Sequence, residues 1–161
     1  MERKATRHDF EAVYQIYMDP DNNPFMSYEL MDREEFEPLF AEMIDSGELY
    51  VYELEGRIAA SYKVTRRAHR MSHIAYLGGF AVHPEFRGRG IGSRVLNDLE
   101  ARLRQDGAKR FELLVVSDNP KAIEFYLKHG FEHEGTLKKF LKRSNSECYL
   151  DELMMAKLLS W

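Results

Sequence analysis

The spacing of apolar residues along the chain alternates between helical and strand-like periods, and each change marks an element. Thr6 and Asp9 stand at capping-box spacing, with Asp in place of the usual Glu or Gln, and Phe10, Val13, Tyr14 and Tyr17 follow at helical intervals. A short strand at residues 3–5 precedes this helix. Residues 19–24, Asp-Pro-Asp-Asn-Asn-Pro, break any regular element and read as a loop. A second amphipathic helix over residues 32–45 carries Phe36, Leu39, Phe40 and Met43 and stops at Ser46-Gly47. The period then becomes that of strands. Residues 49–54 and 58–64 form a hairpin joined at Glu55-Gly56, and residues 66–72 a polar turn. Residues 73–82 form a third strand interrupted by Gly78-Gly79, where glycine signals a bulge or a closely approaching backbone.

From Ile91 the helical period returns, with Ile91, Val95, Leu96, Leu99 and Leu103 in one stripe that Gly107 closes. Residues 111–116 are nearly all apolar, as in a strand covered on both faces. Asn119-Pro120 opens another helix and Gly130 ends it. Residues 131–141 and 148–159 make a last antiparallel pair around the polar tip 142–147. This order predicts a mixed α/β layer on one central sheet. No repeat, low-complexity tract or Gly/Ser/Pro-rich linker divides the 161 residues, so they read as a single domain over 1–161.

Composition mainly excludes. Cys148 is the only cysteine, which rules out an intrachain disulfide and a cysteine-based zinc site, and no His/Asp/Glu cluster has metal-ligand spacing, so no metal is expected. The net charge of -4 speaks against broad nucleic-acid binding. No apolar run reaches the length of a membrane-spanning helix, and the start Met1-Glu2-Arg3-Lys4 lacks an apolar signal core. The expectation is a cytoplasmic protein without a nucleic-acid or membrane partner.

Candidate chemistry concentrates at residues 82–93, Val-His-Pro-Glu-Phe-Arg-Gly-Arg-Gly-Ile-Gly-Ser. A strand runs into alternating Gly88, Gly90 and Gly92 and then into a helix. Glycine admits positive φ and close ligand approach, and the first N–H groups of a helix lack internal partners at its positive end. A phosphate or diphosphate suits that geometry, with Arg87 and Arg89 adding charge at the rim. The Walker pattern fails for want of a Gly-Lys-Ser/Thr, and the dinucleotide fingerprint wants its third glycine where Ser93 stands.

The segment Arg87-Gly88-Arg89-Gly90-Ile91-Gly92 resembles the Q/R-x-x-G-x-G/A acetyl-CoA loop of the GNAT family of N-acetyltransferases. A second family motif is matched by Asn119, Ala122, Phe125, Tyr126, Gly130 and Phe131, and the element order fits that fold over nearly the whole chain. The resemblance implies a mostly antiparallel sheet of six to seven strands, helices on both faces, and a splayed central strand pair. It implies acetyl-CoA as co-substrate, its pantetheine arm on the backbone of Phe80, Ala81 and Val82 and its diphosphate on N–H groups from Arg87 through Ser93. Asn119 would cap its helix at the edge of the same site. Tyr126 would be the general acid toward the departing sulfur. A phenol of pKa about 10 stays protonated at neutral pH, while a thiol like that of cysteine has a pKa of about 8.5. By spacing alone, Tyr126 reads as a core aromatic beside Ala122 and Ile123.

One position departs from the pattern. Many members carry a glutamate on the fourth strand as general base, and residues 73–82 contain no acid. An acceptor that needs little deprotonation answers this: an α-amine has a pKa of about 7.7–8.0, against about 10.4 for lysine. His73, His83, Glu85, Glu112 and Asp151 are the other polar candidates for the base or for substrate contacts, each with a structural role as the alternative. Phe25, Met26 and Tyr28 read equally as an acceptor wall or as a loop on the core, and Arg66, Arg67, His69 and Arg70 as a solvated turn or an anion contact. The reading is an acetyl-CoA-dependent N-acetyltransferase acting on a primary amine of a small molecule or free amino acid, by direct attack in a ternary complex. A protein N-terminal or lysine acetyltransferase and a non-catalytic acyl-CoA-binding module are the alternatives, and a homodimer is left open as the assembly.

Overall fold

The computed structural model describes residues 1–159, and its elements follow the predicted order. Strand β1 (Glu2–Lys4) leads into helix α1 (Phe10–Met18), and α2 (Arg33–Ser46) follows the Asp-Pro loop. Strands β2 (Leu49–Leu54), β3 (Arg57–Arg66) and β4 (Ile74–Val82) form a meander, followed by α3 (Ile91–Gln105), β5 (Arg110–Val116) and α4 (Pro120–Lys128). Strands β6 (Glu132–Lys142) and β7 (Tyr149–Leu158) complete a seven-stranded sheet of order β1-β2-β3-β4-β5-β7-β6. Among the described residues only the β4–β5 pair is parallel.

Local chemistry explains the boundaries. The Asp9 carboxylate accepts the Thr6 N–H at 2.8 Å and also the Arg3 guanidinium at 2.8 and 2.9 Å, so the capping acid ties β1 to the start of α1. Asp32 caps α2 by accepting the Glu35 N–H at 2.8 Å. Glu55 and Gly56 both take positive φ, 55° and 74°, as a two-residue type I′ hairpin requires. Along β2 the side chains alternate: Leu49 and Val51 join α1 and α2, while Tyr50 and Tyr52 face α3. One core layer holds Val13, Ile16, Tyr17, Phe36, Phe40 and Met43; the other packs Val95, Leu96, Leu99, Leu103 and Tyr126 against Tyr62, Leu77, Phe111 and Leu113. Helices therefore cover both faces, and each fully buried large apolar side chain contributes about 1.5–3 kcal/mol of transfer free energy.

The feature that positions the site lies in β4. Pairing with β5 runs from Ile74 opposite Arg110 to Leu77 opposite Leu113 and stops there. On its other edge β4 faces Lys63 with Gly78 but Ser61 with Ala81, so β4 carries one extra residue at this point. Gly79 sits in the bulge at φ 58°, and a Cβ there would lie 2.9 Å from the Tyr17 hydroxyl. The glycine pair thus marks the predicted bulge, and beyond it β4 and β5 are splayed. Just below the gap, Glu112 of β5 is buried and accepts Arg67 Nε at 3.0 Å and Arg110 Nε at 2.7 Å, while Arg110 also reaches Glu134 at 2.7 Å. Arg67 belongs to the basic tip, so part of that tip is engaged inside the fold.

Two tests follow from this arrangement. Burial pushes the Glu112 carboxyl up, but its bonds to Arg67 and Arg110 outweigh that and leave it below the ordinary 4.5. A depressed folded pKa contributes stability above the unfolded value that is lost as pH falls through the folded one. Glu112→Gln should lower urea-measured stability near neutral pH by roughly 2 kcal/mol, below the roughly 3–5 of a fully buried pair, since Arg67 is 41% exposed. That difference from the parent should vanish on acidification below the folded pKa. Gly79→Ala should lose about 1–2 kcal/mol through the left-handed backbone alone, and more through the collision. Adding Tyr17→Phe should recover only the collision part in the same denaturation assay.

Candidate active site

Where β4 and β5 part, a cleft of about 920 Å³ opens, a size suited to a small-molecule ligand. Its walls are the β4 segment from Tyr76 to Val82, the β5 segment from Leu113 to Val116, and the first turns of α4 with Asn119, Phe125 and Tyr126. From the side of α1 and α2 it is closed by Phe25, Met26 and Tyr28, and Tyr17, Lys63 and Glu152 are also in the lining. Of the residues singled out in the sequence, Phe80, Ala81, Val82, Arg87, Gly92, Asn119 and Tyr126 line the cleft. Gly88, Arg89, Gly90 and Ile91 form the turn between Arg87 and Gly92, with Ser93 next along α3 and the Ile91 side chain buried in the core.

The turn has the electrostatics of an anion site. Gly88 and Gly90 take φ of 76° and 69°, and Gly90 is the N-cap of α3 with no side chain capping it. The main-chain N–H groups from Gly88 through Ser93 meet no acceptor among the described residues, and they stand at the positive end of a 15-residue helix. The glycine positions leave open space where a Cβ would project at Gly88 and Gly90. Unpaired donors and an open approach together fit phosphate oxygens. The two arginines differ. Arg89 lies over the Phe86 ring at 5.1 Å, whereas Arg87 is ion-paired with Asp19 and Asp21. The loop thus takes up part of the charge that the sequence assigns to the rim. Asn22 adds a second tie, its Nδ2 donating to the Val82 carbonyl at 3.0 Å. Asn119 accepts the Ala122 N–H at 3.3 Å, which makes it the cap of α4.

Inside the cleft, burial dominates. The Tyr126 hydroxyl has no hydrogen-bond partner among the described residues, and burial, then the neighbouring Tyr76, pushes its pKa above the usual 10. Tyr17 is shifted the same way by burial and then by Tyr28, and its hydroxyl is wholly buried and unpartnered. A buried donor left unpaired costs about 1–3 kcal/mol. Burial also pushes up Tyr76, which feels the charge of Glu152. Glu152, on β7 opposite Val116, is raised above 4.5 by burial.

None of the five bases named from the sequence lines this cleft. His83 is buried against Gln15 at 2.8 Å, and Glu85 pairs with Arg57. Glu112 holds its two arginines. Asp151 accepts the Lys139 N–H at 2.9 Å, at a bulge in β6. His73 lies just before β4 and outside the cleft wall. The residues that do line it and that sequence reasoning passed over are Tyr17, Lys63, Tyr76 and Glu152. A period-two reading of β7 makes Glu152 the alternative to Asp151, since the two must face opposite sides. Among the described residues no group of three or more His, Cys, Asp or Glu is placed to hold a metal, and no helix is long and apolar enough to cross a membrane.

Comparison with known proteins agrees with this geometry. The sequence profile described as the Acetyltransferase (GNAT) family matches residues 10–131. A ribosomal-protein-alanine N-acetyltransferase from Brucella melitensis is 26% identical, with 98% of this chain and 99% of that one covered and a TM-score of 0.76. Spermidine N-acetyltransferase from Vibrio cholerae, solved with CoA and spermine, shares the fold at a TM-score of 0.82 and 19% identity, over 99% and 95% of the two chains. A Salmonella typhimurium protein solved with acetyl-CoA does so at 0.77 and 19%, over 100% and 94%. With the splayed strands, the glycine turn and the profile in agreement, the chain belongs to the GNAT family and is an acetyl-CoA-dependent N-acetyltransferase.

Proposed function

We propose that the enzyme acetylates the α-amine of a small molecule, a free amino acid foremost, by direct attack within a ternary complex. The observation that carries this reading is the cleft between β4 and β5, which opens on one side to the unpaired N–H groups of the α3 turn and on the other to a separate polar and aromatic wall. In this reading the N–H groups from Gly88 through Ser93 receive the diphosphate; the Arg87 N–H, expected to join them, donates to the Pro84 carbonyl instead. The main chain of Phe80, Ala81 and Val82 receives the pantetheine arm, the Val82 carbonyl being already held by Asn22. Asn119 and α4 form the opposite bank.

The chemistry assigned to this chain is a proton transfer and an exclusion of water. The neutral amine attacks the thioester carbonyl carbon; the C–N bond forms, the C–S bond breaks, and the sulfur takes the Tyr126 hydroxyl proton. The surplus proton on nitrogen then restores the phenol. Burial makes Tyr126 a weaker acid than free phenol. The same buried surroundings raise the proton affinity of the thiolate, so the transfer is favoured while the sulfur is desolvated beside Tyr126. An α-amine suits a fourth strand without an acid, because about a tenth or more of it is already neutral near pH 7, far more than of a lysine.

A second reading, acetylation of a protein's N-terminal α-amine, is favoured by the 26% identical Brucella melitensis relative, whose name gives a ribosomal-protein alanine as its acceptor. An acetyl-CoA consumption screen over amino acids, polyamines and peptides separates the two and overturns both if no α-amine is acetylated. Tyr126→Phe should lower kcat about 10²–10⁴-fold while calorimetry shows acetyl-CoA affinity little changed. Full turnover in that variant would remove Tyr126 from the mechanism.

A further inference from the structure

The acceptor side of the cleft holds two charged groups that the fold leaves uncompensated. Glu2, Asp9, Asp19, Glu48, Glu53, Glu100, Glu112 and Asp151 are carboxylates at least partly withdrawn from solvent, and each has a hydrogen-bond or ion-pair partner. Glu152 is likewise partly withdrawn and has none among the described residues; its strand neighbours across the sheet are the apolar Val116 and Leu137. Lys63 is the opposite case. Its Nζ lies 3.4 Å from the Tyr28 hydroxyl and 5.7 Å from that ring, with no carboxylate at ion-pair distance among the described residues. The unpartnered, wholly buried Tyr17 hydroxyl adjoins Tyr28, the two rings being 6.0 Å apart. A fold that half-buries one anion with no partner, gives one half-buried cation only a phenol to bond to, and leaves one buried donor unpaired is complementary to a ligand that brings the missing charges.

Lys63 stands on β3 and Glu152 on β7, with β4 and β5 between them. The backbones are thus separated by three strand spacings, roughly 14 Å before the splay is added, so the two side chains can face one small molecule from opposite ends. The wall beside Lys63 is apolar, formed by Phe25, Met26 and Tyr28.

Building on the reading above, we propose that Glu152 and Lys63 are the two poles of the acceptor subsite, so that the acceptor is the zwitterion of a free amino acid and not a peptide N-terminus. Glu152 receives the ammonium and takes one proton from it: an N–H bond breaks, an O–H bond forms on the carboxylate, and the nitrogen lone pair is released for attack on the thioester. Lys63 receives the carboxylate. After CoA and the amide leave, Glu152 returns its proton to water, so that one proton is released per turnover. The base missing from β4 is thereby supplied by β7. A peptide N-terminus offers an amide where Lys63 requires a carboxylate, and the subsite disfavours it.

The test uses the full chain at saturating acetyl-CoA with three acceptors: the best of the standard amino acids, its carboxamide, and the amine that lacks the carboxyl group. In the parent enzyme, kcat/KM for the acid should exceed that for the carboxamide and the amine about 10-fold or more. Lys63→Met should lower kcat/KM for the acid at least about 10-fold more than for the carboxamide, mainly through KM. Glu152→Gln should lower kcat for all three about 10²-fold or more with the KM for acetyl-CoA unchanged. Its melting temperature should equal or exceed the parent's, because an unpaired desolvated charge has been removed, which separates lost chemistry from lost folding. Equal rates for acid and carboxamide, no selective effect of Lys63→Met, or full kcat in Glu152→Gln each overturn the proposal while leaving acetyl transfer intact. Absence of turnover with every amine would instead overturn the reading on which it rests.

Discussion

A parallel strand pair that stops short controls everything else in this molecule. Buried main-chain N–H and C=O groups must find partners, and in β4 and β5 they find each other only as far as Leu77 and Leu113. Beyond that point one extra residue in β4 turns the strand away from its neighbour. The edges left facing each other need partners from outside the sheet. At the mouth of the same gap, the first turn of α3 adds a run of unpaired donors. The fold has therefore placed two sets of unmet main-chain groups side by side, and a long ligand with both amide and phosphate groups answers both.

Holding such a gap open requires that its surroundings not collapse into it. Below, Glu112 binds Arg67 and Arg110, and Arg110 continues to Glu134, so the end of β3, β5 and β6 are clamped together where the splay begins. Above, Asn22 holds the Val82 carbonyl and Arg87 holds Asp19, fastening the α1–α2 loop across the end of β4. Between them Tyr17 fills the space beside Gly79 to the point where a Cβ could not be accommodated without movement. These contacts are internal: the arginines that a sequence reading assigns to ligand anions are partly engaged in supporting the site. Of the charged residues that line the cleft, Arg87 and Asp21 are paired with each other. Burial pushes Tyr17, Tyr76 and Tyr126 up, and Glu152, the lining carboxylate without a partner among the described residues, carries a raised pKa because nothing nearby offsets its desolvation.

Much of this was legible along the chain because local rules governed it. Asp32, Gly47, Asn119 and the Glu55-Gly56 turn act through contacts with residues a few positions away, so their roles follow from spacing. Helical stripes such as Val95, Leu99 and Leu103 declare their buried face, and the Gly78-Gly79 pair announces a bulge. The family motif around Arg87–Gly92 and Tyr126 led to the cleft, since both segments belong to the strand-to-helix junctions that bound it.

Other parts were not legible, for a physical reason. Which of Asp151 and Glu152 enters the cleft depends on the register of β7 against β5 and β6, and a shift of one residue exchanges them. Whether Arg87 or Arg67 is free to meet a ligand depends on acids 45 to 68 positions away in sequence, Glu112 for one and Asp19 for the other. The amino-acid order by itself determined the elements, their succession along the chain and the glycine turn, because these are set by contacts between near neighbours. Only the tertiary structure decided which charges are spent within the fold and which remain for a substrate, because ion pairing and burial depend on distances that no local pattern records.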